Sequence, residues 1–146
     1  MVGFLDKHLT KKDRKEIIAA IAEAERMTSG EIRVQIHKKC EGDVLQEAQK
    51  IFHRLKMHRT RHRNAVLIFI ALESRYFAIL GDSGIHHQVG GSYWSEARDK
   101  MESYFSKYQI KEGIVAGILS VGDKLKTYFP VNPDDKNELS NKITEA

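Results

Sequence analysis

The chain has 146 residues, 41% of them hydrophobic and 30% charged, with a net charge of +4. That balance suits one soluble globular domain with a single core and excludes a disordered tail or a multidomain assembly. The longest apolar run, Ala65 to Leu72, is far short of the ~20 residues of a membrane-spanning helix. The N-terminal MVGFLDKHLTKKD lacks the apolar core of a secretion signal, and the lone Cys40 permits neither an internal disulfide nor a multi-cysteine zinc site. A cytoplasmic location is expected.

A first helix is predicted over residues 11–27, opened by Thr10 with Asp13 as a capping box and carrying Ile17, Ile18, Ile21, Ala22 and Ala24. Thr28-Ser29-Gly30 stops it. Glu31 to His37 then alternates polar and apolar residues, which predicts a strand with one face in water or partly so. After the turn Cys40 to Asp43, the spacing of Val44, Leu45, Ala48, Ile51, Phe52 and Leu55 predicts a helix to about Met57. Ala65 to Leu72 is short, continuous and rich in β-branched residues, as a strand covered on both faces should be. Glu73-Ser74 turns it into an antiparallel third strand that ends at Gly81. A loop from Gly81 to Ile85 leads towards helices predicted over 93–105 and 114–129, the last stopped by Pro130 and Pro133. Residues 1–130 thus read as one α/β domain. Residues 131–146 read as a polar C-terminal tail, frayed or at most a short helix.

Strand, helix and strand over 31–72 make a crossover unit, whose two strands must run parallel with a right-handed connection. The hairpin reverses the third strand. Three segments therefore meet at one sheet edge: Thr28 to Glu31, the basic His58 to Asn64, and Gly81 to Gly84. Six basic residues and no acid lie between Lys50 and Arg63 (Lys50, Arg54, Lys56, Arg59, Arg61, Arg63), so the remaining chain is slightly acidic. Such a block points to an anionic ligand or else to a solvated helix end. Carboxylates Glu31 and Asp82 approach these arginines. Oxygen ligands suit Mg²⁺ or Ca²⁺, arginines clamp phosphate, and Glu96 and Asp99 on the following helix could add oxygens. The plainer alternative is that Asp82 caps the next turn and Glu31 pairs with an arginine.

Ala24-Glu25, Thr28-Ser29-Gly30-Glu31-Ile32-Arg33-Val34, Met57, Thr60, Arg63 to Ile68, Phe77 to Ile85 and Trp94 occur in an order that resembles the TPM domain family, named from thylakoid-lumen, photosystem-repair and MOLO proteins. The resemblance covers nearly the whole chain. It implies an α/β sandwich of Rossmann-like topology, a small mixed sheet with helices on both faces, divalent-metal binding by the crossing loops, and hydrolysis of phosphoric monoesters. Carried onto this chain, it puts the metal around Asp82, with Glu31, Asp99 and Glu96 as further ligands, and Asp82, Arg63 and Arg61 as the catalytic set. Family members often carry an acid where Gly90-Gly91 stands here, which shifts ligation towards Asp82, Asp99 and carbonyl oxygens. They also often carry a signal peptide and membrane anchor; a stand-alone, bacterial-type member is expected here.

The residues exclude other phosphatase routes. Cys40 has Gln46 where a Cys-x₅-Arg loop needs arginine, and neither an Asp-x-Asp pair nor a Walker phosphate loop occurs. Metal-assisted attack by water on a small phosphomonoester remains. His86-His87 are candidate acid or base groups or simply exposed loop residues, and His58 and His62 sit beside arginines that disfavour metal. Two other functions compete: a metal-regulated interaction module without turnover, anchored by Tyr93 and Trp94 unless these pack in the core, and nucleic-acid binding through residues 50–63, which lacks interleaved aromatics for stacking.

Overall fold

The computed structural model describes residues 7–131 and 143–145. Helix α1 spans Lys11–Arg26, and the capping box is present: the Asp13 N–H donates to Thr10 Oγ1 and the Thr10 N–H to Asp13 Oδ2, both at 3.0 Å. Strand β1 is Glu31–His37, as expected. Helix α2, Val44–Arg54, starts on Asp43, whose carboxylate accepts from Leu45 and Gln46 N–H. It ends earlier than the expected Met57 because Lys56 turns the backbone left-handed (φ 59°), and Met57–Arg59 forms a separate 3₁₀ turn with Met57 fully buried.

Strands β2 (Ala65–Ala71) and β3 (Tyr76–Gly81) form the expected hairpin. Beyond it the structure departs from the sequence reading. Residues expected as a loop form helix α3, Ser83–Val89, nucleated by Asp82 as its N-cap and fastened by the buried Ile85. Helix α4, Ser95–Phe105, follows a 3₁₀ turn over Gly91–Trp94. Helix α5, Ile110–Tyr128, begins about a turn before the expected Ile114. Glycine weakens the helical signal there, but in α5 it is spacing that counts: a Cβ on Gly117 would stand 2.5 Å from Met101 Sδ, so the small residue lets α4 and α5 close up.

The sheet has the order β3-β2-β1-β4, where β4 is Ile143–Glu145 and runs parallel to β1 at Val34 to Ile36. Part of the expected tail is therefore a strand, while residues 132–142 lie outside the described residues. β1 and β2 are parallel, with Glu31 opposite Ala65, and β2 and β3 antiparallel. One face carries Ile32, Val34, Ile36, Val66, Ile68, Ile70 and Ile79 against α1, α4 and α5. The other carries Ala65, Leu67, Phe69, Ala71 and Ala78 against Ala48, Ile51 and Phe52 of α2. This is a mixed α/β sandwich, and β2 is buried on both faces as its apolar run required. The polar face of β1 is not in water: Glu31, Arg33 and Gln35 are all buried. No helix among the described residues is long and apolar enough to cross a membrane.

Candidate functional site

The predicted convergence of three segments is seen at the edge where β1 and β2 begin and β3 ends. The Glu31 N–H donates to the Asn64 carbonyl, Asn64 Nδ2 reaches Ser29 Oγ at 3.4 Å, and the Asp82 N–H donates to the Ala65 carbonyl at 3.0 Å. Thr28 and Ser29 both bond the Phe129 carbonyl, tying the end of α5 to the same corner.

Asp82 and Arg63 form the centre of this edge. Arg63 Nε donates to Asp82 Oδ2 at 2.8 Å and Nη2 to Oδ1 at 2.9 Å, a fork-on-fork ion pair. The Asp82 side chain is 5% exposed and that of Arg63 48%, so a buried carboxylate holds an accessible guanidinium in a fixed plane. That contact, with the charge behind it, raises the guanidinium above its ordinary pKa. Oδ1 of Asp82 also accepts the Ser83 N–H at 2.7 Å. The plain reading of Asp82 as a cap thus holds together with its place in the cluster. The turn is strained and crowded: Arg63 has φ 51°, and a Cβ on Gly84 would fall 2.3 Å from the His62 carbonyl oxygen and 2.6 Å from that of Arg63. Arg61 and His62 are exposed on the same turn.

The other expected carboxylates are placed differently. Glu31 is buried at the start of β1, two strands from Asp82 and therefore about 10 Å across the sheet. Glu96 is drawn to Lys124 of α5 at 2.9 Å and Lys100 at 3.4 Å, which hold its carboxyl below the usual range. Asp99 is exposed on α4. Among the described residues no three His, Cys, Asp or Glu side chains gather at one point, and both Asp82 oxygens are engaged. The described residues thus form no prebuilt cage for Mg²⁺ or Ca²⁺.

His86 and His87 lie exposed on α3, and the His58 ring lies tilted against that of His53 with centroids 4.9 Å apart. Trp94 is in the core and the Tyr93 hydroxyl donates to the Lys124 carbonyl, so Trp94 is not offered to a partner. Within the basic block, Arg54 faces Glu47 at 3.9 Å and Arg63 faces Asp82.

The sequence reading placed Glu25 in the family pattern but gave it no role. Its Oε2 accepts the Ile32 N–H at 2.8 Å. The Glu31 N–H points to β2, so that of Ile32 points to the opposite edge, and Glu25 closes that edge below the point where β4 begins. Burial pushes its carboxyl up to about 7, the Ile32 bond opposes this, and the Glu31 charge adds to it. The only signal in the sequence was an acid at the end of a helix, six residues before another. Because the folded pKa is raised, the folded state keeps its proton longer than the unfolded chain. Stability from this group is therefore full below pH 4.5 and is lost as pH rises through about 7. Urea unfolding should show Glu25→Gln gaining about 1–2 kcal/mol relative to wild type at pH 8 and little at pH 5, after allowance for its partial exposure. Equal effects at both pH values would contradict the assignment.

A model of the TPM domain matches residues 5–124. The chain belongs to the TPM domain family. Its fold is also that of the BA42 protein from the psychrophilic bacterium Bizionia argentinensis, solved by NMR, at 42% identity and TM-score 0.89 over 94% of this chain and 95% of that one. Two more distant proteins of similar fold are the N-terminal domain of the cg2496 protein from Corynebacterium glutamicum (16% identity, TM-score 0.65, 96% of this chain and 82% of that one) and an N-terminal domain from P. gingivalis (17%, 0.70, 84% and 79%). At those identities they speak for the fold alone. The search of curated proteins gave no match. Against this family background the TPM domain described here carries its charged centre at the crossing loops, in the Arg63–Asp82 pair.

Proposed function

We propose that this TPM domain hydrolyses small phosphomonoesters at the Arg63–Asp82 edge. The observation that carries the reading is a half-exposed guanidinium locked in plane by a buried carboxylate, on a turn that also presents Arg61. Support comes also from the family model, which has phosphatase in its name.

In hydrolysis a water oxygen bonds to phosphorus, the ester P–O bond breaks, and the alcohol leaves with a proton. Negative charge is spread over the phosphoryl oxygens in between, and preset donors that meet it there lower the barrier. Arg63 and Arg61 supply such donors. Asp82 positions Arg63 and, by neutralising part of its charge, keeps phosphate exchangeable. A planar fork is what a phosphoryl group needs, so Arg63→Lys, which keeps the charge and loses the fork, should raise KM for p-nitrophenyl phosphate about tenfold or more. Assays with Mg²⁺, with Ca²⁺ and after chelation test the metal dependence at the same time. An unchanged KM in Arg63→Lys would remove Arg63 from the site.

The closed ion pair favours a second reading, in which the edge binds a phosphate group without turning it over. Saturable binding of phosphate with no hydrolysis under any of the three cation conditions would select it.

A further inference from the structure

Strand alternation puts Glu31, Arg33, Gln35 and His37 on one face of β1. The parallel register sets them beside Ala65, Leu67, Phe69 and Ala71 of β2. On β2 that face is apolar and covered by α2, while on β1 it is polar and nonetheless buried: Glu31 is 4%, Arg33 9% and Gln35 4% exposed. Core polarity of this kind opposes folding unless it serves a ligand or a network.

Gln35 and His37 have each other, Nε2 to Nε2 at 2.9 Å, and the His37 ring stands edge-on to Phe69. Along the neighbouring wall, Glu47 and Arg54 of α2 pair and act on His37 from either sign. Arg33 is different. Its Nε is buried with no hydrogen-bond partner, and Arg33 is in none of the ion pairs among the described residues. Burial depresses its guanidinium. An arginine does not escape by losing its proton, so a buried cation with no ion-pair partner among the described residues stands in the interior.

We propose that the buried polar face of β1 is an oxyanion site built on Arg33, separate from the Arg63–Asp82 edge. The register places Arg33 opposite Leu67, two residues inward from Ala65 and on the far side of β2 from β3. A guanidinium matches a phosphate or carboxylate group through two parallel N–H bonds, one of them from Nε. The Gln35–His37 pair and Arg54 border the same face, and the buried Glu31 carboxylate lies two residues before Arg33 on it. The inference holds whether or not the chain is a hydrolase, because it rests on a different side chain.

Side-chain ¹H–¹⁵N NMR of the arginine Nε–H groups tests it directly on the whole chain, with inorganic phosphate, sulfate and acetate as separate titrants. The expected result is a saturable shift of the Arg33 signal, and the better titrant identifies the oxyanion class. Arg33→Met removes the cation while keeping the volume. It should abolish oxyanion-induced thermal stabilisation and leave Tm in oxyanion-free buffer equal to or above that of wild type, since an unpaired buried charge is gone. Arg33→Lys should bind about tenfold more weakly or worse. No saturable shift with any of the three anions would overturn the proposal. So would an Arg33→Met variant that keeps the full anion-induced rise in Tm, or one whose Tm falls in anion-free buffer, as for an arginine already satisfied. Turnover of p-nitrophenyl phosphate, measured alongside, keeps a failure here distinct from a failure at Arg63.

Discussion

Gly84→Ala is expected to destabilise the protein by about 3 kcal/mol or more. The added Cβ would stand 2.3 Å and 2.6 Å from two backbone carbonyl oxygens, those of His62 and Arg63. A side chain in the way could swing aside, but these carbonyls belong to the turn that leads into the central strand. The Gly84 N–H also donates to the Arg63 carbonyl at 2.9 Å, so moving the segments apart breaks that bond as well. Relief would have to come from separating α3 from the 60–64 turn, which pulls Arg63 off Asp82. Urea unfolding should show the loss, and the Arg63 Nε–H signal should move at the same time. A variant within about 1 kcal/mol of wild type, with that signal unmoved, would mean that the three segments are not packed as described.

The second large effect is on activity, and comparing two variants at Asp82 separates its roles. Asp82→Ala removes the cap of α3 and the seat of Arg63. It should lose about 1–2 kcal/mol from the cap and about 100-fold in kcat/KM from the released guanidinium. Asp82→Asn keeps an oxygen for the Ser83 N–H, but its amide N–H₂ confronts an arginine donor where Oδ2 now accepts. It should retain most of the stability and still lose most of the activity. If both variants are destabilised equally and neither loses turnover, Asp82 is a structural cap and the proposed chemistry belongs elsewhere.

The parts of the fold that local chemistry decides were legible. Thr10 and Asp13 cap α1 through their own side chains. The unbroken apolar stretch from Ala65 fits a strand covered on both faces. Crossover handedness and the hairpin then bring Glu31, Arg63 and Asp82 to one edge without further information. What was hidden depends on partners far away in sequence. Whether the Glu31, Arg33 and Gln35 side of β1 meets water or protein is not encoded in its alternation, so a strand with a solvated face and one with a polar core face read alike. The early start of α5 is carried by its approach to α4 and not by helix propensity, and β4 by pairing with β1 across more than a hundred residues. Glu96 was a reasonable oxygen donor by position, but Lys124, from the next helix, takes it. Glu25 and Arg33 stood in the family pattern without a role because their titration is set by burial, which only the packed chain creates.

The most direct test of the central claim is the rate of p-nitrophenyl phosphate hydrolysis by purified wild type and Asp82→Asn, each with Mg²⁺, with Ca²⁺ and with chelator. Turnover by wild type that falls about 100-fold in a variant that keeps most of its stability is the predicted result. Hydrolysis that is equal in both proteins, or absent from wild type under all three conditions, would contradict catalysis at the Arg63–Asp82 edge.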